Sequence, residues 1–139
     1  MASSVQKTLS DNDVGLTNSH QAGFLIPKDY VKKGFFELLP NDVRNPRLML
    51  EFFDVKYGTS FWLSYIFYNN KFFGGTRNEY RLTSLIAFVR EHGLRSGDKV
   101  VITKIAPRKY EISTVKVGRG PKVLSKESWS AIYGEEPTL

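Results

Sequence analysis

Cysteine is absent from this 139-residue chain, which excludes a disulfide framework and thiolate metal sites and fits an intracellular protein. Only His20 and His92 remain as imidazole ligands, too few for a zinc site without cysteine. Long apolar runs are missing as well. The most apolar stretch, Phe61–Tyr68, is far too short to span a bilayer and is broken by Ser64. Met1–Asp13 is polar and carries no secretory signal. There is no Gly-x-Ser-x-Gly elbow for a serine hydrolase. Gly118-Arg119-Gly120-Pro121-Lys122 lacks the length and the Gly-Lys-Ser/Thr ending of a phosphate loop. Internal repeats and low-complexity tracts are absent. These gaps lead us to expect a soluble protein with no cofactor, no metal and no membrane partner.

What is present suits one globular domain. Hydrophobic residues make up 41% and aromatics 14% of the chain, enough to bury a core without metal or disulfide support. Lys and Arg number 20 against 14 Asp and Glu, a net charge of +6. That balance favours a polyanionic partner, although a modest excess also serves solubility.

Base-reading chemistry concentrates in Asn69–Arg81, Asn-Asn-Lys-Phe-Phe-Gly-Gly-Thr-Arg-Asn-Glu-Tyr-Arg. Arg77 and Arg81 can each fork onto guanine, Asn78 can pair with adenine, and Glu79 can accept from the cytosine amino group. Gly74 and Gly75 allow a sharp turn or a close approach. Tyr65, Phe67, Phe72 and Phe73 beside it are expected to anchor a polar arm to a core. A solvated hairpin loop is the plain alternative.

The remaining pattern is mainly β. Gln21–Ile26 reads as a strand closed by Pro27, and Lys28–Phe36 as a helical turn. Leu48–Val55 and Ser60–Tyr68 read as strands paired across Lys56–Thr59. Leu82, Leu85, Ile86 and Val89 fall at helical spacing and predict a helix over Leu82–Gly93, capped by Thr83 or Ser84. Lys99–Ile105 and Tyr110–Val117 continue as strands, and Ser125–Tyr133 reads as a short terminal helix. Gly134–Leu139 reads as a tail or the start of a linker, which sets a domain of 1–133 and a tail of 134–139. Lys104, Arg108, Lys109, Lys116, Arg119, Lys122 and Lys126 form a basic stretch that is either a solvated face or a track for a phosphate backbone.

An enzymatic reading competes. Asp42, Asp54 and Lys56 loosely echo the carboxylate, carboxylate, lysine set of a magnesium-dependent nuclease. Asp42 is better explained as a turn or cap residue and Asp54 as a strand-end charge. His20, beside Ser19 and Gln21, reads as a nucleophile's base, a surface residue or a contact to a partner.

Two blocks carry a family resemblance. Leu9–Pro27, with Asn-Asp-x-Gly and His-Gln-x-Gly, resembles the opening of the N-terminal effector domain of EcoRII-type restriction endonucleases. Tyr68–Thr83, with Thr-Arg-Asn-Glu-x-Arg, resembles the second block of that domain, and Leu85–Ile102 is similar to plant B-three transcription-factor domains. The resemblance implies a mainly β fold, an open seven-stranded pseudobarrel with short flanking helices. It implies a prokaryotic cytoplasmic protein whose two arms grip the major groove of double-stranded DNA at a CCWGG-type site. A nuclease domain in the same polypeptide would be its second partner, controlled by allostery. Carried over position by position, His20, Arg77, Asn78, Glu79 and Arg81 would read bases or brace the readers. Asn18, Ser19, Lys71, Thr76, Lys116 and Arg119 would contact the backbone, and no residue would be catalytic. Gly75 stands in place of a lysine and Leu25 in place of a tyrosine, and each change removes a potential DNA contact. A free-standing DNA-binding regulator of the same fold is the nearest rival.

Overall fold

Alternation of inward apolar and outward polar side chains builds most of the molecule. The computed structural model describes residues 3–11, 13–14, 23–117 and 129–131. Eight strands run in chain order: β1 (Ser4–Thr8), β2 (Gly23–Ile26), β3 (Arg47–Asp54), β4 (Thr59–Tyr68), β5 (Glu79–Thr83), β6 (Lys99–Ala106), β7 (Lys109–Val115) and β8 (Trp129–Ala131). Two short helices, α1 (Lys28–Lys32) and α2 (Ile86–Glu91), are inserted among them. The sheet order is β2-β5-β4-β3-β7-β6-β1-β8. Every pairing among the described residues is antiparallel except β3 with β7.

The sheet curls until its two edge strands meet. Trp129 Nε1 on β8 donates to the Leu25 carbonyl on β2 at 3.0 Å, and its ring meets Phe24 edge-on at 6.1 Å. An indole side chain, and not a backbone ladder, closes the barrel. Inside lie Phe24, Phe35, Phe36, Leu50, Phe52, Tyr65, Leu82, Ile102 and Tyr110 among others, all essentially inaccessible to solvent.

Three tyrosines fasten the irregular segment after α1. Tyr110 Oη donates to Phe35 O at 2.5 Å, Tyr65 Oη donates to Glu37 O at 2.8 Å, and Leu39 N donates to Tyr80 Oη at 3.2 Å. These bonds fall on alternate residues of a segment that belongs to no strand. The phenols thus satisfy backbone groups that burial would otherwise leave without partners.

At the hairpin between β3 and β4, Asp54 is buried against His92. His92 Nε2 lies 2.7 Å from Asp54 Oδ2. An ionised carboxylate only accepts, so Nε2 carries the hydrogen. Asp54 Oδ1 takes the amides of Lys56 and Tyr57 and shapes the turn.

Several expectations need correction. The strand total among the described residues is eight, not seven, with β8 pairing on β1 at one edge of the sheet. β1 escapes sequence reading because its inward positions are Val5 and Lys7, and a lysine hides the alternation. Lys7 is buried in an ion pair with Asp13 at 2.6 Å, over the Phe24 ring. The helix expected over Leu82–Gly93 begins only at Ile86, because Leu82 and Thr83 finish β5, Leu82 paired with both β2 and β4 and Thr83 with β2. Ser84, at φ 69°, breaks the chain direction between them. No side-chain cap forms there, and Thr83 Oγ1 donates instead to Ser64 O. Trp129–Ala131, expected to be helical, is strand β8, and the rest of Ser125–Tyr133 lies outside the described residues.

Burial pushes the phenols of Tyr65, Tyr110 and Tyr80 above their ordinary value of 10.0. A raised folded-state pKa contributes stability that is whole below the unfolded value and is lost as pH climbs past it. Unfolding free energy should therefore decline above pH 10 as unfolded tyrosines ionise, while native Tyr65 and Tyr110 stay phenolic in ultraviolet titrations. Ionisation of these two in the folded protein at the ordinary pKa would contradict the tethering role. Asp54→Ala leaves His92 and two turn amides unsatisfied, and should cost about 3 kcal/mol in urea denaturation. A loss within about 0.5 kcal/mol, as surface substitutions give, would show that the pair does not hold the hairpin.

Candidate nucleic-acid interface

β4 leads outward from the barrel to Tyr68, and the chain then forms an arm before returning as β5. The arm opens with a single 3-10 turn, Asn70–Phe73, that ends in Gly74 at φ 90°, a left-handed conformation natural to glycine. Gly75 N bonds to Asn70 O at 2.7 Å, and Lys71 N bonds to Arg77 O at 2.9 Å, so the arm is cross-tied. A Cβ at position 75 would lie 2.9 Å from the Asn70 Cβ. That contact explains why glycine, and not a lysine, fits this turn.

The strand parity of β5 sorts its side chains. Tyr80 and Leu82 point into the core, which sends Glu79 and Arg81 to the outer face. There Glu79 braces two guanidinium groups at once. Arg77 Nε donates to its Oε1 at 2.8 Å and Arg81 Nε donates to its Oε2 at 3.0 Å. Two cations held this near would repel, and the shared carboxylate offsets that. Arg77 also lies over the Tyr68 ring, with Cζ 3.8 Å from the centroid. Arg81 Nη1 reaches Gly23 O on β2 at 3.4 Å. Partial burial alone would raise the Glu79 pKa, but the bonds and charges of Arg77 and Arg81 outweigh it and hold the carboxyl below its ordinary value of 4.5. Its charge persists into mildly acidic solution.

The sequence-derived candidates separate by position. Lys71, Thr76, Arg77, Asn78, Glu79 and Arg81 stand together on the arm and the start of β5, with Lys71 and Thr76 exposed. Asn18, Ser19, His20 and Arg119 lie outside the described residues. Lys116 is elsewhere. Its Nζ bonds to Gly93 O at 2.8 Å just beyond α2, near the β3–β4 turn. β4 has ten residues, so this end is about 30 Å from the arm. Phe72 and Phe73 do not anchor the arm as expected. They are 50% and 41% exposed, whereas Tyr65 and Phe67 are core residues.

The fastening is done by Asn69, whose side chain is wholly buried. Its Oδ1 accepts from Asn45 N at 2.7 Å, and its Nδ2 donates to Val43 O at 2.7 Å and Pro40 O at 3.3 Å. Composition gave no sign of this role, because an asparagine beside Asn70 reads as one more loop residue.

The nuclease constellation does not assemble. Asp42 precedes β3 and Asp54 ends it, so about 25 Å of strand and loop stands between them. Asp54 is already bonded to His92 and the turn amides, and Lys56 lies over the Tyr57 ring. No group of His, Asp or Glu among the described residues is arranged to hold a metal ion. No helix among them is long and apolar enough to cross a membrane.

Comparison with known proteins places this geometry. The family described as "Restriction endonuclease EcoRII, N-terminal" matches residues 2–90. The type II restriction enzyme EcoRII of Escherichia coli is 37% identical over 86 residues, 55% of this chain and 19% of the enzyme, so the chain spans about a fifth of that relative. Among solved structures, the Arabidopsis FUS3–DNA complex matches with TM-score 0.58 at 21% identity, over 80% of this chain and 94% of that one. The B3 domain of the UbaLAI restriction endonuclease, solved as a mutant with cognate DNA, matches with TM-score 0.57 at 20% identity, over 81% and 67%. The curled, Trp129-closed sheet is thus the same pseudobarrel fold, and the chain belongs to the EcoRII N-terminal domain family.

Proposed function

We propose that this chain is a sequence-specific double-stranded DNA-binding module that grips the major groove with two arms. The observation that carries this reading is the double brace of Glu79 on Arg77 and Arg81, set on the outer face of β5 beside a cross-tied arm. A guanidinium fork matches the O6 and N7 acceptors of guanine. Fixing its plane beforehand lowers the ordering cost of binding. Asn78 between them suits adenine, and Lys71 and Thr76 suit phosphates. The second arm would carry Asn18, Ser19 and His20, with Arg119 as a further backbone contact. Family membership supports a CCWGG-type site and a role as the effector domain that controls a nuclease domain in the same polypeptide. In that arrangement residues 1–133 form the domain, 134–139 lead into a linker, and the protein works in a prokaryotic cytoplasm.

Equilibrium binding to a CCWGG duplex and to an unrelated duplex tests the assignment. Arg77→Ala and Arg81→Ala should each cost roughly 1–3 kcal/mol on CCWGG and much less on the unrelated DNA. Glu79→Ala should move the two DNAs in opposite directions. Removing a negative charge favours non-specific binding, while releasing the two arginines harms specific binding. Equal tightening on both would reduce Glu79 to a solvated charge and sink the reading-head assignment. Salt provides a separate check. With about five phosphates neutralised, the log–log slope of affinity against salt should be near −4.5, and a flat response would exclude a backbone-anchored complex.

A further inference from the structure

The arm is not the only cationic element on the outer face near Arg81. Register places four residues in one cross-strand row: Leu25 on β2 opposite Arg81 on β5, Arg81 opposite Ile66 on β4, and Ile66 opposite Arg47 on β3. Directly paired residues share a face of the sheet, so Arg47 stands on the same face as Arg81 and Glu79. Two strand spacings separate Arg47 from Arg81, about 10 Å. The B-DNA major groove is about 12 Å wide. A cation that far to the side of a base-reading arginine therefore falls at the groove's phosphate border.

Arg47 is exposed, and so is Arg44 in the loop that leads to it. That loop is fixed to the arm itself. Asn69, the residue that begins the arm, takes Asn45 N and gives its amide hydrogens to Val43 O and Pro40 O. Phe67 N adds a bond to Pro46 O at 3.0 Å. Asn45 adopts φ 48°, a left-handed turn that asparagine tolerates. A buried asparagine whose amide makes three bonds to one loop keeps the loop and the arm in a single rigid body.

We infer that the Pro40–Pro46 loop and the first residue of β3 form a third DNA-contacting element, in which Arg44 and Arg47 bind backbone phosphates beside the groove read by the arm. The inference rests on the DNA-binding reading above. Asn69 is its positioning residue, holding the phosphate contacts in register with the base readers.

Fluorescence anisotropy of the full chain on CCWGG and unrelated duplexes, over a range of salt, tests it. Arg44→Ala and Arg47→Ala are exposed substitutions that leave the core intact. Each should weaken both duplexes alike, on the order of tenfold at low salt, and make the salt slope shallower by about 0.9. Arg47→Lys should restore most of the slope. Arg90→Ala is the charge-matched control, because α2 sits at the opposite end of β4, beside the β3–β4 turn. It should leave the slope unchanged. Wild-type binding with unaltered slopes in Arg44→Ala and Arg47→Ala would overturn the third element and leave the arm standing. Equal effects from Arg90→Ala would reduce the result to bulk charge and overturn it too. A loss confined to CCWGG would make Arg47 a base reader, again against the phosphate assignment. Failure of the wild type to bind either duplex would instead remove the DNA-binding reading on which all of this rests.

Discussion

The register of β5 against β4 is the constraint on which the outer face depends. Tyr80 opposes Phe67, and their rings stack at 4.2 Å with an interplanar angle of 1°. Leu82 opposes Tyr65 in the core. A slip of one residue would turn Tyr80 and Leu82 to solvent and bury Glu79 and Arg81. The aromatic pair therefore does more than fill space. It fixes which side of the strand carries charge, and so whether Arg77, Glu79 and Arg81 can meet outside the barrel at all.

The same logic extends along the chain to the arm's other attachment. Asn69 and the tyrosine tethers at Phe35, Glu37 and Leu39 fix the irregular segments around β3 by side-chain hydrogen bonds where no ladder is available. Tyr80 belongs to both systems, stacking on Phe67 and accepting from Leu39 N. Order at the outer face thus descends from the core through hydrogen bonds to loops. A set of donors held this way loses little freedom when a partner arrives.

Much of this was legible in the sequence, for definable reasons. β3, β4, β6 and β7 carry period-two alternation, and their expected spans agree with the structure to within two residues. The grouping of Lys71, Thr76, Arg77, Asn78, Glu79 and Arg81 follows from their proximity in one short segment. What failed was non-local. The apolar residues at the start of Leu82–Gly93 satisfy a helical period and a strand's inward face alike, and only pairing with β2 and β4 decides between them. Lys116 looked like part of a basic track, but β7 carries it to the end of the barrel that faces away from the arm. Asn69 and Arg47 were invisible because their significance lies in partners more than twenty residues or two strands away.

Buried charge at the amino-terminal side shows what the Asn-Asp-x-Gly motif does in this chain. In the Asn-Asp-x-Gly element, Asp13 contacts no outer face. Its Oδ2 takes Lys7 Nζ at 2.6 Å and Ser10 N at 2.9 Å, and Ser10 Oγ takes Asp13 N at 3.3 Å. Lys7 in turn lies over the rings of Phe24 and Trp129, the two residues that close the barrel. Replacing either partner would strand a charge in an aromatic seam, a far larger penalty than losing an exposed pair. Asp13 is thus a fastener that ties the turn after β1 to the barrel's closing seam, whereas Thr-Arg-Asn-Glu-x-Arg supplies the outward arginines. The two blocks of resemblance are of different kinds. The first fastens the chain that follows β1 to the closing seam, and the second sets which charges the arm after β4 presents.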